Sequence, residues 1–86
     1  MIAPEEEEPS FNIYPNPVST VLTIETELEG TIIISNNLGQ IIGEYTIEQF
    51  ESFELDVSDF ANGIYYCKFV GASNKVIATE QLEIIH

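Results

Sequence analysis

Tyr14-Pro15-Asn16-Pro17 stands directly before residues 18–25, a run in which apolar and polar residues largely alternate. A period of two residues is typical of a β-strand. Each proline fixes φ and removes a backbone donor, so the segment cannot lie inside a sheet and should turn a corner or lie on an edge. The stretch therefore predicts the corner at which a strand of a small β domain begins.

A second informative stretch, residues 55–65, joins two strands through a turn. It places Gly63 where φ is expected to be positive and follows it with Ile64 and Tyr65. In Greek-key sandwiches, a tyrosine near the start of the penultimate strand often turns its hydroxyl back to the preceding crossover, and this arrangement is called a tyrosine corner. Tyr65 is placed for that role.

The remaining pattern predicts an all-β domain without sustained helical periodicity. Strands are expected over residues 11–14, 18–27, 31–36, 40–47, 52–57, 64–70 and 76–85. Hairpin turns are predicted at Glu29-Gly30, at residues 37–39 and at residues 71–74. About seven short antiparallel strands favour an immunoglobulin-like Greek-key β-sandwich over residues 11–86.

The alternation also predicts which side chains fill the core, although the inward face of the sixth strand stays ambiguous between Tyr65 and Tyr66. The other expected core residues are Ile13, Leu22, Ile24, Ile32, Ile34, Ile42, Phe53, Leu55, Val57, Ile64, Phe69, Leu82 and Ile84.

Size and charge narrow the range of functions. A chain of 86 residues forms one domain with a modest core. The chain has fifteen Asp and Glu but only two basic residues, Lys68 and Lys75, so its net charge is −13. Such a charge repels phosphates and excludes nucleic acid as a partner. The longest apolar runs are too short for membrane insertion. The acidic surface is explained by solubility, and the alternative of calcium binding lacks the Asp-x-Asp-x-Asp-Gly signature.

The sequence also lacks the residue groups that catalysis needs. The only histidine is His86, so Cys67 has no neighbouring base in the sequence and is expected to pack in the sheet. No Cys/His cluster suits a metal, and no phosphate-binding loop is present. We predict that the chain is not an enzyme and binds no cofactor. A carbohydrate-binding or purely structural module remains the alternative, although the chain has no tryptophan for stacking on a sugar.

The ordered segments, from about Phe11 to Ile85, resemble the C-terminal sorting domain of cargo proteins of the bacterial type IX secretion system. The resemblance rests on Tyr14-Pro15-Asn16-Pro17, Leu22-Thr23-Ile24, Asn37-Leu38-Gly39-Gln40, residues 56–65 and a terminal strand. It implies sorting-motif residues that mainly define the fold, namely Pro15, Asn16, Pro17, Leu22, Gly39, Gly63, Ile64 and Tyr65.

The resemblance also implies partners and a route. A cargo domain would precede the tail, and residues 1–10, with four consecutive glutamates, would form the flexible tether. The secretory signal would lie at the front of a longer precursor. An outer-membrane translocon would export the cargo from the periplasm to the cell surface of a Bacteroidetes-type bacterium, and a sortase-like peptidase would remove the tail.

The last strand is the element expected to contact the translocon, with Lys75, Leu82 and Ile84 as candidates, because an edge strand has unpaired backbone groups. Family members typically carry lysines near its end, whereas this chain has Glu80 and Glu83. This difference predicts weaker electrostatic steering by the translocon.

Overall fold

The computed structural model describes residues 11–86, so the tether predicted for residues 1–10 lies outside the described part. Seven strands follow one another along the chain. They are β1 (Phe11–Tyr14), β2 (Val21–Thr26), β3 (Gly30–Asn36), β4 (Ile41–Ile47), β5 (Ser52–Asp56), β6 (Gly63–Gly71) and β7 (Val76–Ile84). No helix within residues 11–86 is long and apolar enough to cross a membrane.

The strands form two antiparallel sheets that face each other. One has the order β1-β2-β5 and the other β4-β3-β6-β7. Because β5 pairs with β2 and β6 with β3, the chain crosses from one sheet to the other three times. This confirms the predicted sandwich of seven antiparallel strands. Unlike the constant-type immunoglobulin arrangement, the fourth strand lies beside the third.

The core lies between the sheets, where alternate residues of both sheets are buried. It consists of Phe11, Val18, Leu22, Ile24, Ile32, Ile34, Ile47, Leu55, Val57, Tyr65, Cys67, Phe69, Leu82 and Ile84. Tyr65 is buried and Tyr66 is exposed, which settles the ambiguous face of β6. Ile13 and Phe53 are half-buried against the core.

Two of the predicted core residues are not in the core. Ile42 is 44% exposed because a β-bulge at Ile34/Ser35 shifts the register of β4. Ile64 is half-buried on the outer face, since it alternates with the inward-facing Tyr65. Three core residues were not predicted. Phe11 and Ile47 lie at strand ends that still face the core, and Val18 lies in an isolated bridge to Ile84.

The turn at Glu29-Gly30 is not a hairpin, because β2 and β3 belong to different sheets. Gly30 is needed for close packing instead, since a Cβ there would clash with the carbonyl of Val70 and the ring of Phe69. The other two predicted turns do join paired strands. Gly39 (φ 86°) lies in the turn between β3 and β4, and Asn74 (φ 66°) in the turn between β6 and β7.

Candidate functional site

The Tyr14-Pro15-Asn16-Pro17 corner attaches the chain to the far end of β7. Both X-Pro bonds of this corner are cis, and Val18 follows as a single parallel bridge to Ile84. The amide of Val18 donates to the carbonyl of Glu83 at 2.9 Å, and the amide of Ile85 donates to the carbonyl of Val18 at 3.0 Å. The first sorting motif therefore lies beside the last strand, more than 60 residues away in sequence.

The side chain of Asn16 extends this pairing by bonding backbone on both sides of Leu82. Its Nδ2 donates to the carbonyl of Gln81 at 2.9 Å. Its Oδ1 accepts from the amide of Glu83 at 3.0 Å. Asn16 thus supplies the donor and the acceptor that a neighbouring strand would offer at this position.

The second sorting motif pairs with the same part of β7 from the opposite side. In the ladder between β6 and β7, Gly63 lies opposite Ile84 and Tyr65 lies opposite Leu82. Residues 81–86, called here the terminal segment, are therefore held between the two motifs. Gly63 has φ of 153° and an added Cβ would meet nothing within 4 Å, so its backbone conformation rather than space requires glycine.

The crossover between β5 and β6 completes this end of the sandwich. The Tyr65 hydroxyl donates to the carbonyl of Ala61 at 2.7 Å, which confirms the predicted tyrosine corner. The Tyr65 ring packs against Phe60, with ring centroids 5.7 Å apart. At the start of the crossover, the Ser58 hydroxyl and amide both donate to Asp56 and lower the pKa of its carboxyl.

The crossover also holds the last residue of the terminal segment. The amide of His86 donates to Oδ1 of Asn62 at 3.1 Å, and its Nε2 lies 2.7 Å from the carbonyl of Phe60. These partners of His86 and the bridge of Val18 to Ile84 were not predicted from the sequence. Their contacts join distant parts of the chain, so the only local signal was the Asn62-Gly63 turn.

The remaining predicted site residues lie in three different surroundings. Leu22 is fully buried on β2, and Gly39 turns the chain between β3 and β4. Leu82 and Ile84 are fully buried, so their side chains are not available to a partner on the surface of this fold. Lys75 is exposed, but it precedes β7 and lies about 30 Å from Ile84, at the rise of an extended strand.

The free edge of β7 is shorter than the sequence indicated. Alternate residues of an edge strand direct their backbone groups outward. At Gln81, Glu83 and Ile85 such groups already bond the Asn16–Val18 stretch. Thr79, which precedes this covered part, is the next residue whose backbone groups point to the free edge of the sheet.

Cys67 and an acidic hollow are the groups of the described residues that bear on possible chemistry. Cys67 is fully buried, and burial followed by the charge of Glu80 raises the pKa of its thiol to about 12. A hollow of about 290 Å³ is lined by Glu25, Glu27, Glu51 and their neighbours, without a histidine or cysteine. No group of His, Cys, Asp and Glu within residues 11–86 is arranged to hold a metal ion.

Comparison with known proteins identifies the family of this chain. The family model of the secretion system C-terminal sorting domain matches residues 12–83. The chain is also 32% identical over 68 residues to Beta-agarase A of Zobellia galactanivorans, a match that covers 76% of this chain and 12% of the agarase. The chain thus spans about an eighth of that relative's length. From the family match we conclude that it belongs to the C-terminal sorting domains of type IX secretion, which are sorting rather than catalytic domains.

Proposed function

We propose that residues 11–86 sort a cargo joined ahead of them from the periplasm through the outer-membrane translocon. Membership of the family supports this proposal, because its tails belong to secreted proteins that reach the cell surface or the medium. The observation that carries it is that both motifs bond the terminal segment, Asn16 from one side and β6 from the other. The terminal segment is therefore already folded, and a receptor can recognise it without the entropic cost of ordering it.

The cargo is proposed to be a much larger secreted protein. The relative named Beta-agarase A is matched over only 12% of its length, as expected for a short tail on a long polypeptide. A sortase-like peptidase of the outer membrane is proposed to cut between tail and cargo once export is complete. Surface attachment or release of the cargo would follow that cleavage.

The terminal strand is proposed to contact the translocon through its backbone and its exposed side chains. Leu82 and Ile84 then act from the core by holding the strand in place. Gln81 and Glu83 alternate with them and are exposed. Lys75 is also exposed and would make a separate contact at the opposite end of β7.

Export of a reporter tests the proposal. Residues 11–86 are fused behind a periplasmic reporter in a host with type IX secretion, and surface reporter is measured by protease accessibility on intact cells. The expected result is surface reporter comparable to that of an established sorting domain, with the unfused reporter retained inside. Retention of the fusion in the periplasm, while the established domain exports the same reporter, would contradict the proposal.

The geometry does not favour the carbohydrate-binding alternative. Tyr65 is buried, and Tyr45 packs against Phe53 with ring centroids 5.3 Å apart. Tyr14 and Tyr66 are exposed, but they belong to different sheets. The four tyrosines therefore do not form one stacking platform.

A further inference from the structure

The two outer faces of the sandwich differ in how their apolar residues are grouped. On the three-stranded sheet, the outward residues of β5 are Ser52, Glu54 and Asp56, and the exposed apolar residues Tyr14 and Val21 lie apart on the other two strands. On the four-stranded sheet, Ile64, Tyr66 and Val70 of β6 face outward beside Ile33 of β3. A solvent-facing antiparallel sheet normally presents polar residues, so the apolar outer face is the one that needs an explanation.

These side chains lie on neighbouring strands, with Ser35 and Lys68 among them, and we call this surface the apolar face. It comprises Ile33, Ile41, Ile64, Tyr66, Val70 and the stem of Lys68. Ser35 lies between Ile41 and Tyr66 in the ladder, and Lys68 lies next to Ile33. Ile41 is 59% exposed and Tyr66 is 38% exposed. Glu44 and Glu83 border the face on the two outer strands.

From this arrangement we propose that the apolar face docks a protein partner whose own apolar patch is ringed by Lys and Arg. A second copy of the chain is disfavoured, because each copy carries a net charge of −13 and the two would repel. Strand spacing and rise give the face about 300 Å², well below the roughly 800 Å² per partner of stable complexes. Lys68 is the one cation of the face, and Glu44 and Glu83 outnumber it at the border, so a cationic partner gains net attraction where a second copy meets repulsion. The small area suits a contact that is released again.

The docking face deepens the proposed function, since it supplies the surface through which the export machinery would recognise the tail. The docking face can be tested without assuming the sorting function. The 86-residue chain is titrated with a peptide of alternating Leu and Lys at about 0.02 M salt, where charges are weakly screened, and amide shifts are followed by NMR. The expected shifts cluster on β3, β4 and β6, and a peptide of alternating Leu and Glu produces none.

Matched substitutions separate the two faces. Tyr66→Ser and Ile41→Ser should weaken binding of the Leu/Lys peptide about tenfold, because they remove apolar anchors from the face. Val21→Ser, at a residue of the other sheet that is 43% exposed, should change it less than about twofold. Unfolding curves verify that all three variants are folded. Shifts centred on the three-stranded sheet, or equal losses in the three variants, would overturn the proposal.

The same variants link docking to export. In the reporter assay, Tyr66→Ser should lower surface reporter at least about fivefold relative to Val21→Ser, since it removes the anchor at the centre of the face. If the unsubstituted fusion is not exported, the sorting function fails, while the peptide titration alone still decides whether the face docks a cationic partner.

Discussion

At the scale of single residues, the tyrosine corner shows how one hydroxyl fixes a crossover. Tyr65 is buried, and its hydroxyl reaches the carbonyl of Ala61 at 2.7 Å. Without that hydroxyl, the part-buried bond to Ala61 is lost and the tyrosine no longer holds the crossover against β6. The motif residue is therefore explained by stability before any partner is considered.

Removing that hydroxyl should be costly although the substitution is small. Tyr65→Phe is expected to lower the free energy of unfolding by about 1 to 2 kcal/mol, measured by urea denaturation. Tyr66→Phe, one residue along and exposed, is the control and should stay within about 0.5 kcal/mol. Equal effects of the two substitutions would show that the bond to Ala61 contributes nothing.

Cys67 is a residue whose surroundings suppress its chemistry. Its thiol is fully buried and has a pKa raised to about 12, mainly by burial. Because the thiolate is the reactive form, Cys67 should not react with a disulfide reagent at pH 8 in the folded chain, but should react promptly in urea. The control is the double variant Cys67→Ala/Ser73→Cys, whose only thiol is exposed and should react promptly in the folded chain. Rapid labelling of folded Cys67 would contradict the packing described.

At the scale of strands and turns, the Asn16 side chain acts as a short piece of strand for β7. Asn16→Ala removes both bonds to Gln81 and Glu83, whereas Asn16→Asp keeps only an acceptor for the amide of Glu83. We expect Asn16→Ala to lower the free energy of unfolding by only about 1 kcal/mol, because water can replace part of the hydrogen bonding at this exposed site.

Amide hydrogen exchange separates the two substitutions at Asn16. The amide of Glu83 should exchange faster in Asn16→Ala and near the original rate in Asn16→Asp, since only the alanine lacks an acceptor. The amide of Lys68, within β6, serves as the internal control. Unchanged exchange at Glu83 in Asn16→Ala would contradict the role of the side chain.

Strands were predictable from the sequence to within three residues at each end, because alternation is local. The wrong assignments have non-local causes. Gly30 carries a turn signal, yet the close approach of Val70 requires the glycine. The bulge that exposes Ile42 depends on the pairing of β3 with β4. The terminal segment is held by a hydrogen bond between Asn16 and Glu83, and no local sequence pattern predicts a contact between residues so far apart.

The charge of the last strand can be tested on its own. Glu83→Lys places a cation at the border of the apolar face, and Glu54→Lys makes the same change on the other sheet. With a cationic partner, Glu83→Lys should slow association about threefold and reduce export, while Glu54→Lys has a smaller effect. A gain of export in Glu83→Lys would instead support the expectation, drawn from the sequence, that acidic residues in this strand weaken steering.

At the scale of the whole molecule, charge acts in opposite directions on folding and on docking. A net charge of −13 on 86 residues repels itself most strongly in the compact state. The same charge attracts a cationic partner over a distance set by the ionic strength. Added salt should therefore stabilise the fold and weaken the contact.

The expected effect on folding is a rise of about 1 kcal/mol in the free energy of unfolding at pH 7 between about 0.02 and 0.2 M NaCl, measured by urea denaturation. Near pH 4.1, the isoelectric point calculated from the sequence, the net charge is close to zero and the rise should largely disappear, which provides the control. Over the same range of salt, binding of the Leu/Lys peptide at pH 7 should weaken. A fold that loses stability with salt at pH 7, or gains equally at both pH values, would show that self-repulsion does not limit this domain.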